Sequence, residues 1–395
     1  MTNAQDALGD PDFDALKRRA FNLRWATVDE GVIPLTAADP DLAICPEVQQ
    51  AIQDYVSVPH LSYGPPMGLP EFRRAVAQHF SRDKHAKVDP AQVVATNSAA
   101  SAITLVAKHL LQPGDEVVIQ DPVDFLIAES ARRAGATLRL WAADEGRFTL
   151  AGLQAAVTDR TRLVSVCHPH NPLGVLWSDS EVEAIATFAS DRGIALLSDE
   201  VWSDVLLDDA SITSFARHTR CAPWIVYGLS KGYGLAGLRI GAVIAPDTEA
   251  AQAFALAQGF EHTIEGAATL SQVAATAALE HAASWRAAFL RHCTSQRDAA
   301  IVRLQELPGI KIPQAPKATF VLFADVNETG LDQEQVAECL LQSARVRVVP
   351  GNPRWFGPGA AGHIRMSLAT TGEVLDEAIT RIEQAWPRLL ECQTS

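Results

Sequence analysis

The sequence predicts an α/β fold, a mostly parallel sheet flanked by helices with a smaller α+β domain after it. Three observations predict it. Short apolar runs alternate with helix-patterned segments over most of the chain, several of those runs end abruptly in polar or glycine-rich residues, and the alternation breaks near residue 285. Alternating strands and helices build parallel sheets, because each crossover must return the chain to the same edge. With 395 residues, 48% of them hydrophobic, the chain can enclose one large and one small core.

Taken in order, residues 1–35 read as an N-terminal arm with a short helix. Gln92-Val-Val-Ala-Thr96 is a strand, followed by a helix from Ala99 to Leu111 and a Pro113-Gly114-Asp115 turn; Val117-Val-Ile-Gln120 is the next strand. Leu163 to Cys167 and Ile194 to Ser198 are apolar runs that end in His168-Pro-His-Asn-Pro and in Asp199-Glu200. Between them, Ser178-Asp-Ser-Glu181 has the form of a capping box, Val182, Ile185, Ala186 and Ala189 share one helical face, and Gly193 closes the helix. Trp224 to Tyr227 and Leu238 to Ala245 read as two more strands, the second stopped by Pro246. A long helix near 285, then Thr319 to Phe323 and Val346 to Val349, make a different pattern. The expected division is an arm with part of the small domain over 1–45, a large domain over 46–284 and a small domain over 285–395.

Composition excludes several function classes. A net charge of −14 and a pI near 5.2 argue against nucleic acid and anionic membranes as partners. No apolar run reaches the ~18 residues of a membrane span, and residues 1–6 lack a basic-then-apolar leader. Cysteines 45, 167, 221, 293, 339 and 392 are scattered with no C-x-x-C pair. The expectation is reduced thiols in the cytoplasm, with neither a disulfide scaffold nor a metal site.

The segment from Gly228 to Ile240 carries the most chemistry. Its Gly232-Tyr-Gly-Leu-Ala-Gly237 satisfies G-x-G-x-x-G, yet a strand rather than a helix follows and no acidic residue stands about 20 positions on, so the nicotinamide reading fails. What the segment does supply is Lys231 on a tight turn after a buried strand, with Arg239 eight positions on. In doubly wound sheets, ligands bind beyond the carboxyl ends of parallel strands. Asn171, Asp199 and Lys231 stand at three such ends and can converge on one ring. That set suits pyridoxal phosphate. Its aldehyde takes an amine, its pyridine nitrogen a buried carboxylate, its ring oxygen a donor and its phosphate an arginine with N–H groups at a helix start.

Asn171-Pro-Leu-Gly174, Asp199-Glu-Val-Trp202, Ser230-Lys231, Arg239 and Arg365 in Gly362-His-Ile-Arg-Met-Ser-Leu-Ala369 stand in one order and spacing that resembles the fold-type I pyridoxal-phosphate enzymes, aminotransferase class I/II, from about residue 30 to 385. The resemblance implies a seven-stranded-type sheet and a Schiff base on Lys231, with Arg365 gripping the substrate α-carboxylate beside Asn171. It implies a phosphate site at Ser98, Ala99 and Ala100 with Ser230 and Arg239. It also implies a homodimer in which Tyr63, in Ser62-Tyr-Gly-Pro-Pro-Met-Gly68, reaches the partner subunit's cofactor.

Four positions depart from that pattern. Ala100 replaces a small hydroxyl residue, Gly228 replaces a serine, Trp202 replaces the usual tyrosine, and Asp124 stands where an aromatic side chain stacks on the cofactor ring. Phe125 is expected to take over the stacking by a shift of one residue.

The reaction type rests on weaker signals. Pro169-His-Asn-Pro-Leu-Gly-Val-Leu-Trp177 and Val32-Ile-Pro-Leu-Thr-Ala-Ala-Asp-Pro-Asp41 are similar to runs of the cystathionine β-lyase-like (MalY/PatB) subfamily, which favours carbon–sulfur β-elimination from cystathionine or an S-substituted cysteine. Tyr63 to Arg73 and Leu235 to Gly241 resemble ordinary aminotransferases, the alternative. A specialised deaminating or decarboxylating enzyme of secondary metabolism is the third reading.

Overall fold

The computed structural model describes residues 8–391; the leader reading at residues 1–6 and Cys392 lie outside the described residues. Twelve strands occur among them: β1 (Ile33–Pro34), β2 (Val93–Thr96), β3 (Glu116–Asp121), β4 (Thr137–Ala142), β5 (Thr161–Cys167), β6 (Ala195–Asp199), β7 (Trp224–Gly228), β8 (Gly241–Ile244), β9 (Val321–Asp325), β10 (Val346–Arg347), β11 (Val349–Pro350) and β12 (His363–Ser367). Seven of them form one sheet in the order β2-β8-β7-β6-β5-β3-β4. β8 runs antiparallel to both its neighbours, and the other pairings are parallel. The register sets Cys167 opposite Asp199 and Asp199 opposite Val226, so β5, β6 and β7 release their next residues at one edge.

Local sequence explains most of these elements. The helix Asp179–Asp191 begins with the expected capping box, in which Ser178 Oγ accepts from the Glu181 N–H and Glu181 Oε2 accepts from the Ser178 N–H at 2.7 Å. Its Val182, Ile185, Ala186 and Ala189 are buried on one face. The run from Leu238 to Ala245, expected as one strand, becomes β8 only at Gly241. Residues 236–238 form a single 3-10 turn, and Arg239 follows in the left-handed region at φ 50°. The reason is steric: a Cβ at Gly241 would lie 2.6 Å from the Ala99 nitrogen, so pairing with β2 starts where the missing side chain permits close approach. Val346 to Val349 also divides. β10 pairs with β1 of the arm, whereas β11 joins the antiparallel sheet β11-β12-β9.

Two large hydrophobic cores result, with a small third cluster of Phe323, Val349, Phe356 and Ala360. Val94, Val118, Val164, Leu197, Val226 and Val243 fill the first, around the large sheet; Leu322, Val346, Ile364, Met366, Ile379 and Trp386 fill the second, together with Ile33 and Leu35 of the arm. The helix Ala283–Leu304 serves both. Its Trp285, Ala288, Phe289 and Cys293 pack into the first core, and its Ala300 and Leu304 into the second. Arg24 pairs with buried Asp41 at 2.5 Å and donates to the Pro34 carbonyl at 2.7 Å, which straps the arm to the residues around β1.

Behind the Lys231 turn lies a buried cluster centred on Asp204. Its Oδ1 faces His79 Nε2 at 2.8 Å and accepts from Lys84 Nζ at 2.9 Å and Arg286 Nη1 at 3.2 Å, while Oδ2 accepts from Tyr227 Oη at 2.5 Å. Burial opposes its ionisation, but His79, Lys84 and Arg286 outweigh burial and hold the carboxyl well below the ordinary range. Gly232 packs directly on it, since a Cβ there would stand 2.6 Å from the Asp204 Cβ. Removing one member of such a group strands its partners. Asp204→Ala is expected to lower unfolding stability by about 3 kcal/mol or more, read by urea denaturation of the cofactor-free protein.

Candidate active site

A cleft of about 560 Å³ opens at the carboxyl ends of β5, β6 and β7. It brings together Ser98, Ala99, Ala100, Asp124, Phe125, Asn171, Asp199, Trp202, Ser230, Lys231, Arg239 and Arg365, which is every expected site residue but one. Tyr63 stays outside it, 91% exposed.

Lys231 follows β7 by one tight turn. Its amine donates to the Ala38 carbonyl at 2.6 Å and lies 5.4 Å from the centre of the Trp202 ring. Burial pulls its pKa below the ordinary lysine value, partly offset by Asp39, Asp124 and Asp199. Asp199 ends β6, with Oδ1 accepting from the Val201 N–H at 3.1 Å. Burial pushes its carboxyl up to about 7, against the Val201 hydrogen bond and with help from Asp124. Trp202 does two things at once: it lines the cleft and packs edge-on against Phe320 at 4.8 Å. Its bulk forms the floor beneath the lysine.

Arg365 comes from β12, where Ile364 and Met366 point into the second core and the arginine points the other way. Its guanidinium lies 5.0 Å from the Phe356 ring, Nη1 donates to Asn171 Oδ1 at 3.3 Å and Nη2 to the Thr36 carbonyl at 3.2 Å. Nε is buried and has no partner among the described residues. Burial lowers the guanidinium's pKa, while Asp124 opposes that.

At the other end of the cleft begins the helix Ala99–Leu110. Ser98 caps it, its Oγ accepting from the Ser101 N–H at 3.0 Å, and the N–H groups of Ala99 and Ala100 open its first turn. An anion is favoured at such an end. A Cβ at Gly228 would meet Ala99 Cβ at 3.2 Å and Val201 Cγ2 at 3.1 Å, so a serine there would press on the helix start. Arg239 corrects the sequence reading. It does not sit in an apolar strand, where burial would demand an anion. It is an exposed residue at the end of a short turn, on the cleft wall.

Sequence reasoning missed the rest of the wall. Asn22 and Leu23 arrive from the strapped arm, and Val349, Trp355 and Phe356 from the segment before β12. Trp355 and Phe356 are fixed because their carbonyls accept from the Phe125 N–H at 3.0 Å and the Val123 N–H at 2.8 Å. Adjacent aromatics in a glycine- and proline-rich loop close before Arg365 were the available signal. The other arginines near this end of the chain stay off the cleft: Arg345 donates to the Glu30 carbonyl, Arg354 stacks on Trp355 at 4.9 Å, and neither they nor Arg347 line it.

The donor set fits pyridoxal phosphate. A buried carboxylate, an amine, an asparagine amide and a helix start face one space, and an arginine with an orphaned buried N–H stands at its edge. This is the enzyme's cofactor. The class I and II aminotransferase family model matches residues 30–382. An aspartate aminotransferase of Pyrococcus horikoshii is 30% identical over 361 residues, spanning 90% of this chain and 91% of that protein. An arginine–pyruvate transaminase of Pseudomonas aeruginosa is 30% identical over 379 residues, 92% of this chain and 93% of its own. The crystal structure of an aromatic aminotransferase from Pyrococcus horikoshii superposes with a TM-score of 0.83 at 29% identity, covering 92% of this chain and 98% of that one. Sheet, site and sequence therefore agree, and the chain belongs to the class I and II aminotransferase family.

Proposed function

We propose that the enzyme transfers the amino group of an α-amino acid to a 2-oxo acid. This departs from the β-elimination that the sequence favoured. The observation that carries it is where the lyase-like residues lie. Trp177 is buried and stacks on Trp141 at 5.6 Å and on His168 at 5.2 Å, its indole N–H donating to the Phe148 carbonyl at 3.0 Å. His170 is buried against Phe148 at 4.7 Å, and burial pulls its imidazole down to about 3. None of Pro169, His170 and Trp177 lines the cleft, so that run speaks for core packing; the second lyase-like run puts only the small Ala37 and Ala38 on the wall, whereas the aminotransferase-like run puts Leu235, Ala236, Arg239 and Ile240 there. The relatives' names, aspartate aminotransferase and arginine–pyruvate transaminase, support transfer.

In this reading Arg365 binds the α-carboxylate of the amino acid and orients it. Bound pyridoxal phosphate supplies an electron sink for the bond broken at Cα. Lys231 Nζ would take the proton from the substrate Cα, a role suited to an amine whose pKa burial has lowered. Asp199 would hold the pyridine nitrogen protonated, and Asn171 would donate to the ring oxygen. Ser98, Ala99, Ala100, Ser230 and Arg239 would hold the phosphate, and Phe125 would cover the ring. Trp202 contributes shape rather than a phenolic hydroxyl.

The working unit we propose is a homodimer, Tyr63 reaching the partner subunit's phosphate, as its 91% exposure in the single chain permits. The arm, large and small domains divide near 45 and 284, supported by the two cores, with the helix Ala283–Leu304 shared between them. Cytoplasmic residence is supported by five free cysteines; among the described residues no helix is long and apolar enough to cross a membrane.

Purified protein loaded with cofactor and given one amino acid should release about one equivalent of 2-oxo acid per site and stop, resuming when an acceptor oxo acid is added. Continuous pyruvate, ammonia and thiol from an S-substituted cysteine would establish elimination instead. Lys231→Ala should slow the proton-transfer step by roughly a thousandfold, measured in single-turnover kinetics. Arg365→Ala should raise KM by roughly a hundredfold with a smaller change in kcat, read from initial rates.

Asp199 predicts a pH effect in the cofactor-free protein. Its folded-state pKa of about 7 exceeds the ordinary 3.8, so the folded chain holds that proton more tightly. The resulting stability is complete below about pH 4 and is lost as pH rises through about 7. Asp199→Asn should therefore gain melting temperature relative to wild type between pH 5 and 8, by differential scanning fluorimetry. Glu200, also raised to about 7 by burial, keeps part of the slope in both proteins.

A further inference from the structure

Asp124 occupies a position where the fold's relatives were expected to place an aromatic ring, and both its oxygens are in use. Oδ1 accepts from the Leu126 N–H at 3.1 Å and closes the first turn of the helix Phe125–Arg133. Oδ2 accepts from Asn171 Nδ2 at 3.0 Å. The other end of that amide, Asn171 Oδ1, accepts from Arg365 Nη1 at 3.3 Å. A carboxylate only accepts and a guanidinium only donates. The amide between them therefore has one orientation that satisfies both, and the flipped amide would set donor against donor and acceptor against acceptor. Asn171 is 3% exposed, so water cannot readily repair a flip.

We propose that Asp124 is a positioning residue: it fixes the amide of Asn171 and, through it, the guanidinium of Arg365 in the orientation that receives the substrate carboxylate. The proposal rests on Arg365 being the carboxylate-binding group and gives Asp124 a task separate from the cofactor ring. The other restraints on Arg365 are the Thr36 carbonyl at 3.2 Å and the Phe356 face at 5.0 Å. A ring face restrains tilt but not rotation in the guanidinium plane. The Asn171 bond adds a second in-plane anchor, leaving Nε as an unspent donor. The amide's second N–H remains for the cofactor's ring oxygen.

An electrostatic role would have the opposite sign. Asp124 is an anion near the site of an incoming anion, so if charge alone mattered its removal would tighten carboxylate binding. Loss of positioning weakens it.

The test uses cofactor-loaded protein and two carboxylates without an amino group, 3-phenylpropanoate and succinate, with Kd measured by calorimetry. Asp124→Ser keeps a hydroxyl able to cap the helix at Leu126 but is too short for Asn171. It should leave the melting temperature within a few degrees and raise Kd about tenfold, the scale of one hydrogen bond in a charged network. Asp124→Asn, isosteric, should weaken binding in the same direction and replaces the serine variant if that fails to fold. In an Asn171→Ala background the serine substitution should add less than about twofold, because the route through Asn171 is gone. Unchanged or tighter binding in Asp124→Ser, or an equal loss in the Asn171→Ala background, would overturn the proposal. A wild-type enzyme that binds neither carboxylate would overturn the assignment of Arg365 first, a failure visible before any variant is made.

Discussion

The site depends on one contact between two cores: the Arg365 guanidinium, carried by β12, reaching the Asn171 amide at the end of β5 at 3.3 Å. Neither sheet alone makes a cleft. The large sheet delivers Asn171, Asp199 and the Lys231 turn to one edge, and the smaller one delivers Arg365 with Val349, Trp355 and Phe356 opposite them. What holds the distance is packing. The helix Ala283–Leu304 is buried at one end in each core, and the arm contributes β1 to one core and Ala38, Leu42 and Cys45 to the other. Arg24 and Asp41 then tie the arm down so that Asn22 and Leu23 meet the cleft.

Charge placement follows from the same geometry. Asp199 and Glu200 are adjacent and buried, yet successive residues of an extended chain point to opposite sides. Glu200 is turned inward and accepts from Ser214 Oγ and the Phe215 N–H, each at 3.0 Å, which makes it part of the scaffold. Asp199 is turned toward the cleft and accepts from a single N–H, that of Val201. The Asp204 cluster lies below the Lys231 turn and is closed on itself by four donors, so it supports the turn without lending its charge to the cleft.

A local resemblance carries little about the reaction when most of its residues lie in the core. The Pro169-His-Asn-Pro-Leu-Gly-Val-Leu-Trp177 run looked like a lyase signature, but a stack of Trp141, Trp177 and His168 explains most of it. Only Asn171 in that run lines the cleft, and an asparagine there serves transfer and elimination alike. Trp202 and Asp124 are different. Both lie on the cleft wall.

Much was legible in the sequence because it is enforced locally. Apolar runs ending at Cys167, Ser198 and Tyr227 fix three strands, the Ser178 capping box fixes a helix start, and Lys231 stands out on a glycine-rich turn. Residue type and short spacing suffice for these, since hydrophobic periodicity and capping act within a few positions. The tertiary structure alone decided the rest. It exposed Arg239, divided Val346 to Val349 between two sheets, brought Trp355 and Phe356 onto the cleft and gave Asp124 to Asn171. Each of these depends on an approach between segments far apart in the chain, such as Gly241 against Ala99 or Phe125 against Trp355, and no local pattern encodes which distant backbone will come near.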